Sequence, residues 1–140
     1  MPLIFSNRCL LMLLLPLCLS TACKKDVQEA AQLNGSWKVY ALNGKDVAHL
    51  EATCDFDINK LQISGSSGCN RYGSDITVNE KNQSLHIGNI IQTKIGCPGE
   101  KGIFEVDFFN ELRKVSHYHF TNPMTVNLTD DFNGTIALKR

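Results

Sequence analysis

Two stretches constrain the fold of this chain more than any others. Residues 64–74 read Ser64-Gly65-Ser66-Ser67-Gly68-Cys69-Asn70-Arg71-Tyr72-Gly73-Ser74, a turn-rich knot with three glycines, one cysteine and one asparagine between strand-like runs. Residues 92–98, Gln92-Thr93-Lys94-Ile95-Gly96-Cys97-Pro98, place a second cysteine at the end of another strand, just ahead of a helical pattern. A Cys69–Cys97 bond would tie these two places together across 28 chain steps (97 − 69). Closing such a loop contributes roughly 3 to 4 kcal/mol on the chain-entropy estimate. The alternative is two free thiols at separate turns.

The chain's start must be set aside before the fold is read. Arg8 is followed by an apolar run of 11 residues, 9–19, well short of the ~20 needed to cross a bilayer as a helix. Ser20-Thr21-Ala22 then precede Cys23, and this looks like a bacterial lipoprotein signal. Ser20 stands where that pattern prefers leucine. Cys18 is a poor rival, since Leu17 before it is large and Pro16 rigid. An ordinary secretory signal cleaved near Ala22 is the competing reading. The resulting division is a signal peptide over 1–22, a polar tether over 23–32 and one domain over 33–140. Lipid on Cys23 would be the membrane attachment, because several acyl chains anchor stably where one does not. Lys24, in place of an aspartate, points to an outer-membrane lipoprotein, facing either the periplasm or the outside.

Lys+Arg and Asp+Glu both number 14, so composition indicates neither a nucleic-acid patch nor an acidic tail. Along the domain, short alternating runs dominate. Trp37, Val39 and Ala41 share one face of a strand that ends at Asn43-Gly44; Cys54, Phe56 and Ile58 share one face of the next. Leu61-Gln62-Ile63-Ser64 leads into the knot, and residues 75–78 and 85–90 form a hairpin around 80–83. After Cys97 the period changes: Phe104, Phe108, Leu112 and Val115, with Phe109, make an amphipathic helix of about four turns. Glu105, Asp107, Asn110, Glu111, Arg113 and Lys114 fall on its polar face. Strand patterns resume at 117–120, 124–128 and 135–138, with Asn133-Gly134 as a turn. Seven or eight short strands and one late helix predict a mainly β domain. Antiparallel strands avoid open edges by curling into a small barrel or half-barrel, with the helix covering an end or seam.

No chemistry-bearing constellation emerges from spacing. With Cys9, Cys18 and Cys23 in the leader, the domain keeps Cys54, Cys69 and Cys97; one disulfide and one leftover thiol suit an oxidising envelope. Cys54 alternates with Phe56 and Ile58 and is expected in the core as a small hydrophobe. There is no CxxC pair or HExxH helix for a metal. His117 and His119 share a strand face, a spacing that exposed histidines adopt far more often without function; His49 and His86 have no evident partner. Ser66 and Ser67 lie between glycines, but a nucleophile elbow needs Gly-x-Ser-x-Gly between a buried strand and a helix. Gly65, Gly68 and Gly73 are read instead as positive-φ turn positions, and Asn70 as a turn residue bonding its own backbone. Neither a catalytic residue, a metal nor a cofactor is expected.

These residues resemble a known family. Leu33-Asn34-Gly35-Ser36-Trp37, then Ile63-Ser64-Gly65-Ser66-Ser67-Gly68-Cys69-Asn70-Arg71-Tyr72, are similar to the META domain of HslJ-type heat-shock lipoproteins. Thr93 through Cys97 matches that family's T-x-x-x-C stretch; Glu105, Phe108, Leu112, Val115 and Tyr118 fit its helix, and Val126-Asn127-Leu128-Thr129-Asp130 its tail. Gly96 replaces a commoner alanine or methionine, and Cys54 stands at a usually aliphatic position. The resemblance implies a curled β-barrel of lipocalin-like topology in an envelope protein, in a family linked to heat shock, novobiocin resistance and, distantly, virulence or motility. It brings no catalytic residues.

The function expected is therefore a non-enzymatic, lipid-anchored, monomeric envelope module that binds a protein partner or hydrophobic ligand under stress, or serves a structural role. The rival from another class is an inhibitor of a secreted enzyme such as lysozyme or a protease. Its contacts would be Arg71 and Tyr72, on the rigid knot.

Overall fold

A computed structural model describes residues 29–140. The expected signal segment, the expected lipidation at Cys23 and most of the expected tether lie outside the described residues. A short helix, α1 (Glu29–Leu33), is followed by β1 (Gly35–Leu42), β2 (Lys45–Asp46), a single 3-10 turn (Ala48–Leu50), β3 (Thr53–Asp57) and β4 (Gln62–Ser66). Then come β5 (Arg71–Asn79), β6 (Ser84–Ile87), β7 (Ile91–Gln92), the long helix α2 (Glu100–Lys114), β8 (His117–Asn122), β9 (Thr125–Thr129) and β10 (Thr135–Lys139).

The sheet is antiparallel throughout and runs β10-β9-β8-β6-β5-β4-β3-β1-β2. It curls until β10 also pairs with β1, Lys38 opposite Lys139 and Val39 opposite Leu138, so the pairings form a ring. Closure in this way removes the open edges that would invite pairing with other chains. The seam between β6 and β8 is thin, with Ser84 opposite His117 as its one registered pair. β2 and β7 are two-residue additions off β1 and β5, which is why alternation reveals the longer strands and misses these.

Inward positions are filled by Trp37, Val39, Cys54, Phe56, Ile63, Tyr72, Ile76, Leu85, Tyr118, Val126, Leu128 and Leu138. The expected face of Trp37, Val39 and Ala41 breaks at a β-bulge between Val39 and Ala41. The extra residue shifts the register, so Leu42 is buried and Ala41 is only half-buried. α2 buries Phe104, Phe108, Phe109 and Leu112 against the core, with Val115 at its end. Glu100 in its first turn and Arg113 and Lys114 in its last complement the helix dipole.

Packing begins ahead of Leu33. Ala30 and Leu33 of α1 are buried, and the Trp37 indole Nε1 donates to the Leu33 carbonyl at 2.7 Å. Arg140, at the other end of the chain, donates to the carbonyls of Gln32 and Asn34 and lies 4.1 Å over the Trp37 ring. The two ends of the domain are thus clasped on one tryptophan. Among the described residues no helix is long and apolar enough to cross a membrane.

Cys54 is a buried free thiol that accepts a hydrogen bond from the Tyr72 hydroxyl at 3.2 Å. Burial pushes its pKa up to about 12, and burial together with Cys54 raises Tyr72 as well. An unfolded thiol ionises near pH 8.5. Above that pH the unfolded state holds fewer protons than the fold, so stability falls as pH rises. We expect about 1.5 kcal/mol to be lost between pH 8.5 and pH 10 by this route. Urea unfolding followed against pH checks it, and Cys54→Ala should remove that part of the slope.

Candidate functional site

The knot lies where β4 and β5 meet α2. β4 carries the chain through Gly65, where an added Cβ would sit 2.1 Å from the Thr53 carbonyl oxygen of the neighbouring strand. Ser67, Gly68, Cys69 and Asn70 then turn the chain back into β5, with Ser67 N donating to Asn70 O at 2.8 Å. Gly68 has φ +85°, and its Cβ would meet the Leu50 carbonyl oxygen at 2.1 Å. Of the three glycines expected to supply positive φ, Gly73 does not. It lies within β5, opposite Ser64 and Ile91, with no positive φ.

Asn70 is 2% exposed, and its bonding reaches well beyond its own turn. Its Oδ1 accepts from Ile95 N at 2.7 Å and from the Thr93 hydroxyl at 2.8 Å. Its Nδ2 donates to Ile95 O at 3.0 Å and to Glu105 Oε1 at 2.9 Å. Its backbone N donates to Glu105 Oε2 at 3.2 Å and to Ser67 Oγ at 3.0 Å. The Ser67 hydroxyl, fully buried, itself donates to Glu105 Oε2. One asparagine therefore fastens three segments: the knot, the 93–95 run and helix α2. Lys101 adds an outer strut, donating to Gly68 O at 3.1 Å.

Cys69 and Cys97 are joined by a disulfide, their Cα atoms 6.2 Å apart. The bond runs parallel to the Asn70 contacts and braces the same segments. With both cysteines replaced by alanine, stability should fall by roughly 3 to 4 kcal/mol. Asn70 still holds Thr93 and Ile95, so the loss should appear as a lower urea midpoint of one cooperative transition.

Glu105 is the residue that periodicity misplaces. It was expected on the solvent face of α2; the structure turns its half-buried carboxylate into the knot. The available signal was its spacing of four and seven from Phe109 and Leu112, along the edge of the apolar stripe. Tyr72 departs too. Its ring is 5% exposed and packs edge-on to Phe108 and Phe109, 5.7 and 5.4 Å away, so it is core and not a contact for a partner. Arg71 is exposed, as is Ile95 at 65%.

Elsewhere, His117 and His119 point outward on β8. The Ser116 hydroxyl lies 3.0 Å from His117 Nδ1 and donates to Asp131 Oδ1 at 2.9 Å. In a catalytic triad the imidazole would stand between hydroxyl and carboxylate; here the hydroxyl stands between them and serves the turn into β8. His49 meets Glu100 at 3.1 Å. A cleft of about 680 Å³ lies between α2 and the β1–β2 turn, with Leu42, Val47, Leu50 and Phe104 as its floor and Lys45, Ile103 and Asp107 on its walls.

The solved structures similar to this chain share its fold. A Burkholderia xenovorans protein determined by NMR superposes with a TM-score of 0.62 at 23% identity, covering 79% of this chain and 86% of its own. A crystal structure of a DUF4847 family protein from Bacteroides vulgatus gives 0.61 at 14% identity, covering 79% and 95%. Another NMR structure gives 0.60 at 20% identity, covering 76% and 89%. Among curated proteins, none matches the sequence. The META domain family matches residues 28–140, a span that takes in the ring of strands, the disulfide and the Asn70–Glu105 knot. The chain belongs to the META domain family.

Proposed function

We propose that this META-domain protein is a non-enzymatic, lipid-anchored module of the bacterial envelope that binds a partner. The observation that carries this reading is the state of the knot. Ser67 and Asn70 are buried, and their polar atoms are spent on Glu105, Thr93, Ile95 and one another. A nucleophile needs a hydroxyl open to substrate and a base free to take its proton. The Ser67 hydroxyl instead braces the fold. The Cys23 anchor rests on the leader pattern, and the stress-related role on the family resemblance.

The decisive experiment is affinity capture from detergent-solubilised envelopes, with lipid analysis of the eluate. Stoichiometric lipid supports a carrier, and one stoichiometric protein supports an adaptor. A hydrolase activity abolished by Ser66→Ala or Ser67→Ala in a folded protein overturns the reading. An inhibitor of a secreted enzyme is the second reading, favoured by Arg71 and Ile95, both exposed on disulfide-braced segments. Slowing of a lysozyme or protease at micromolar protein, relieved by Arg71→Ala, would support it. No slowing across such a panel would sink it.

A further inference from the structure

The cross-link has a third member. Glu105 Oε1 and Oε2 lie 4.0 and 3.9 Å from the Cys97 sulfur, and one carboxylate oxygen with both cysteine sulfurs falls within a mutual 4.8 Å. We propose that Cys69, Cys97 and Glu105 form a redox-gated site for a thiophilic divalent cation, Zn2+ above all, closed while the disulfide stands and opened by a dithiol reductant.

The donor set suits the ion. Two thiolates and a carboxylate make three protein ligands, with water as the fourth, an open tetrahedral arrangement that Zn2+ accepts. Bonds of about 2.3 Å to sulfur and about 2.1 Å to oxygen require roughly 3.8 Å between sulfurs and roughly 3.6 Å between sulfur and oxygen. The Cys97 sulfur–carboxylate distances are already close to that. To hold the ion the two sulfurs must separate, and the Cys69 sulfur, within 4.8 Å of a Glu105 oxygen, must draw in toward it.

The carboxylate is also pre-oriented. Ser67 Oγ and the Asn70 backbone N hold Oε2, while Oε1 accepts a single bond from Asn70 Nδ2 and keeps a lone pair for a metal. Asn70 Nδ2, which donates to Ile95 O and Glu105 Oε1, also lies 3.4 Å from the Cys97 sulfur and so ties the carboxylate to that side of the site. Such outer contacts orient ligands and tune affinity. Both cysteines are half-buried, so a small dithiol can reach them.

The chemistry balances. A dithiol reduces the Cys69–Cys97 bond, giving two cysteine thiols and leaving as its own cyclic disulfide. Zn2+ then displaces two thiol protons and takes the two thiolates and the Glu105 carboxylate. A small-molecule disulfide reverses this: it takes the two electrons of the thiolates and, with two protons, leaves as two thiols, re-forming the Cys69–Cys97 bond and releasing Zn2+.

The test uses the folded domain, reduced with a dithiol that is then removed without air, against its oxidised form. Zn2+ binding is read by competition with a chromophoric chelator, and Cd2+ by the near-ultraviolet thiolate-to-metal band. We expect one ion per reduced chain and none on the oxidised chain. Glu105→Gln should weaken binding at least about tenfold, while the paired Cys69→Ala, Cys97→Ala variant should abolish it. Cys54→Ala should leave it unchanged. Circular dichroism shows which variants are folded. If Glu105→Gln fails to fold, the cadmium band in Cys54→Ala still decides whether both sulfurs bind the ion. Equal binding by the oxidised chain, binding that survives loss of both cysteines, or no binding by a folded reduced chain each overturns the proposal.

Discussion

Replacing Asn70 with alanine is expected to lower stability by about 3 kcal/mol or more, with the disulfide still in place. The side chain satisfies Ile95 N, Ile95 O, the Thr93 hydroxyl and Glu105 Oε1 at once. Each buried group stripped of its partner costs about 1–3 kcal/mol, and water at the exposed 93–96 run recovers only part of that. The Glu105 carboxylate also loses one of its donors in a half-buried setting, where an uncompensated charge is costly. Asn70→Asp separates the contributions. It restores the shape but sets a second carboxylate where Nδ2 met Glu105 Oε1 at 2.9 Å. Like charges so placed raise the carboxyl pKa in the fold, so the folded state holds an extra proton. Stability of Asn70→Asp should therefore recover as pH falls, whereas that of Asn70→Ala should not. Urea unfolding of both variants at pH 7 and pH 5 reads the difference, and matching pH profiles would refute the account.

The prominence of Asn70 was only partly legible. Its place in a glycine-rich turn beside Cys69 marked it as structural, and the two cysteines were linked in the expected way. The reach of its side chain was not visible, because Thr93 and Glu105 lie 23 and 35 residues away and carry no periodic signature toward it. Glu105 illustrates the general limit. A helical wheel assigns charged residues to solvent by default, and a carboxylate at the edge of the apolar stripe can turn either way until a donor appears beside it. Tyr72 fails for a related reason: next to exposed Arg71 in a turn-rich stretch it resembled a surface residue, although the period-2 alternation of β5 already placed it with Ile76 on the inner face. The Val39–Ala41 bulge escapes any alternation argument, since one inserted residue exchanges the faces beyond it. What strict periodicity supports, the strands and the buried face of α2, was readable. What long-range polar bonding decides was not.

Gly68→Ala is expected to be the most damaging of the glycine substitutions outside the strands, and the series around it shows why. Gly96 has no positive φ and open space around it, so Gly96→Ala should lie within about 0.5 kcal/mol of the parent. Gly44 has φ +79° and equally open space; Gly44→Ala should cost about 1–2 kcal/mol from backbone conformation alone. Gly68 combines φ +85° with a Cβ position 2.1 Å from the Leu50 carbonyl oxygen. Backbone is what stands in the way, so no side chain can swing aside, and the knot must lift from the 3-10 turn. Steric intrusion of that kind adds about 1–3 kcal/mol to the conformational cost, giving about 3–5 kcal/mol in all. Lifting the knot would also draw Ser67 and Asn70 away from Glu105, since they flank Gly68 in the same turn. Gly68→Ala should consequently expose the amides of Asn70 and Ile95 to hydrogen exchange, while Gly44→Ala leaves them protected. Equal losses for Gly44→Ala and Gly68→Ala would mean that backbone conformation alone governs this turn, and that contact with Leu50 does not hold the knot in place.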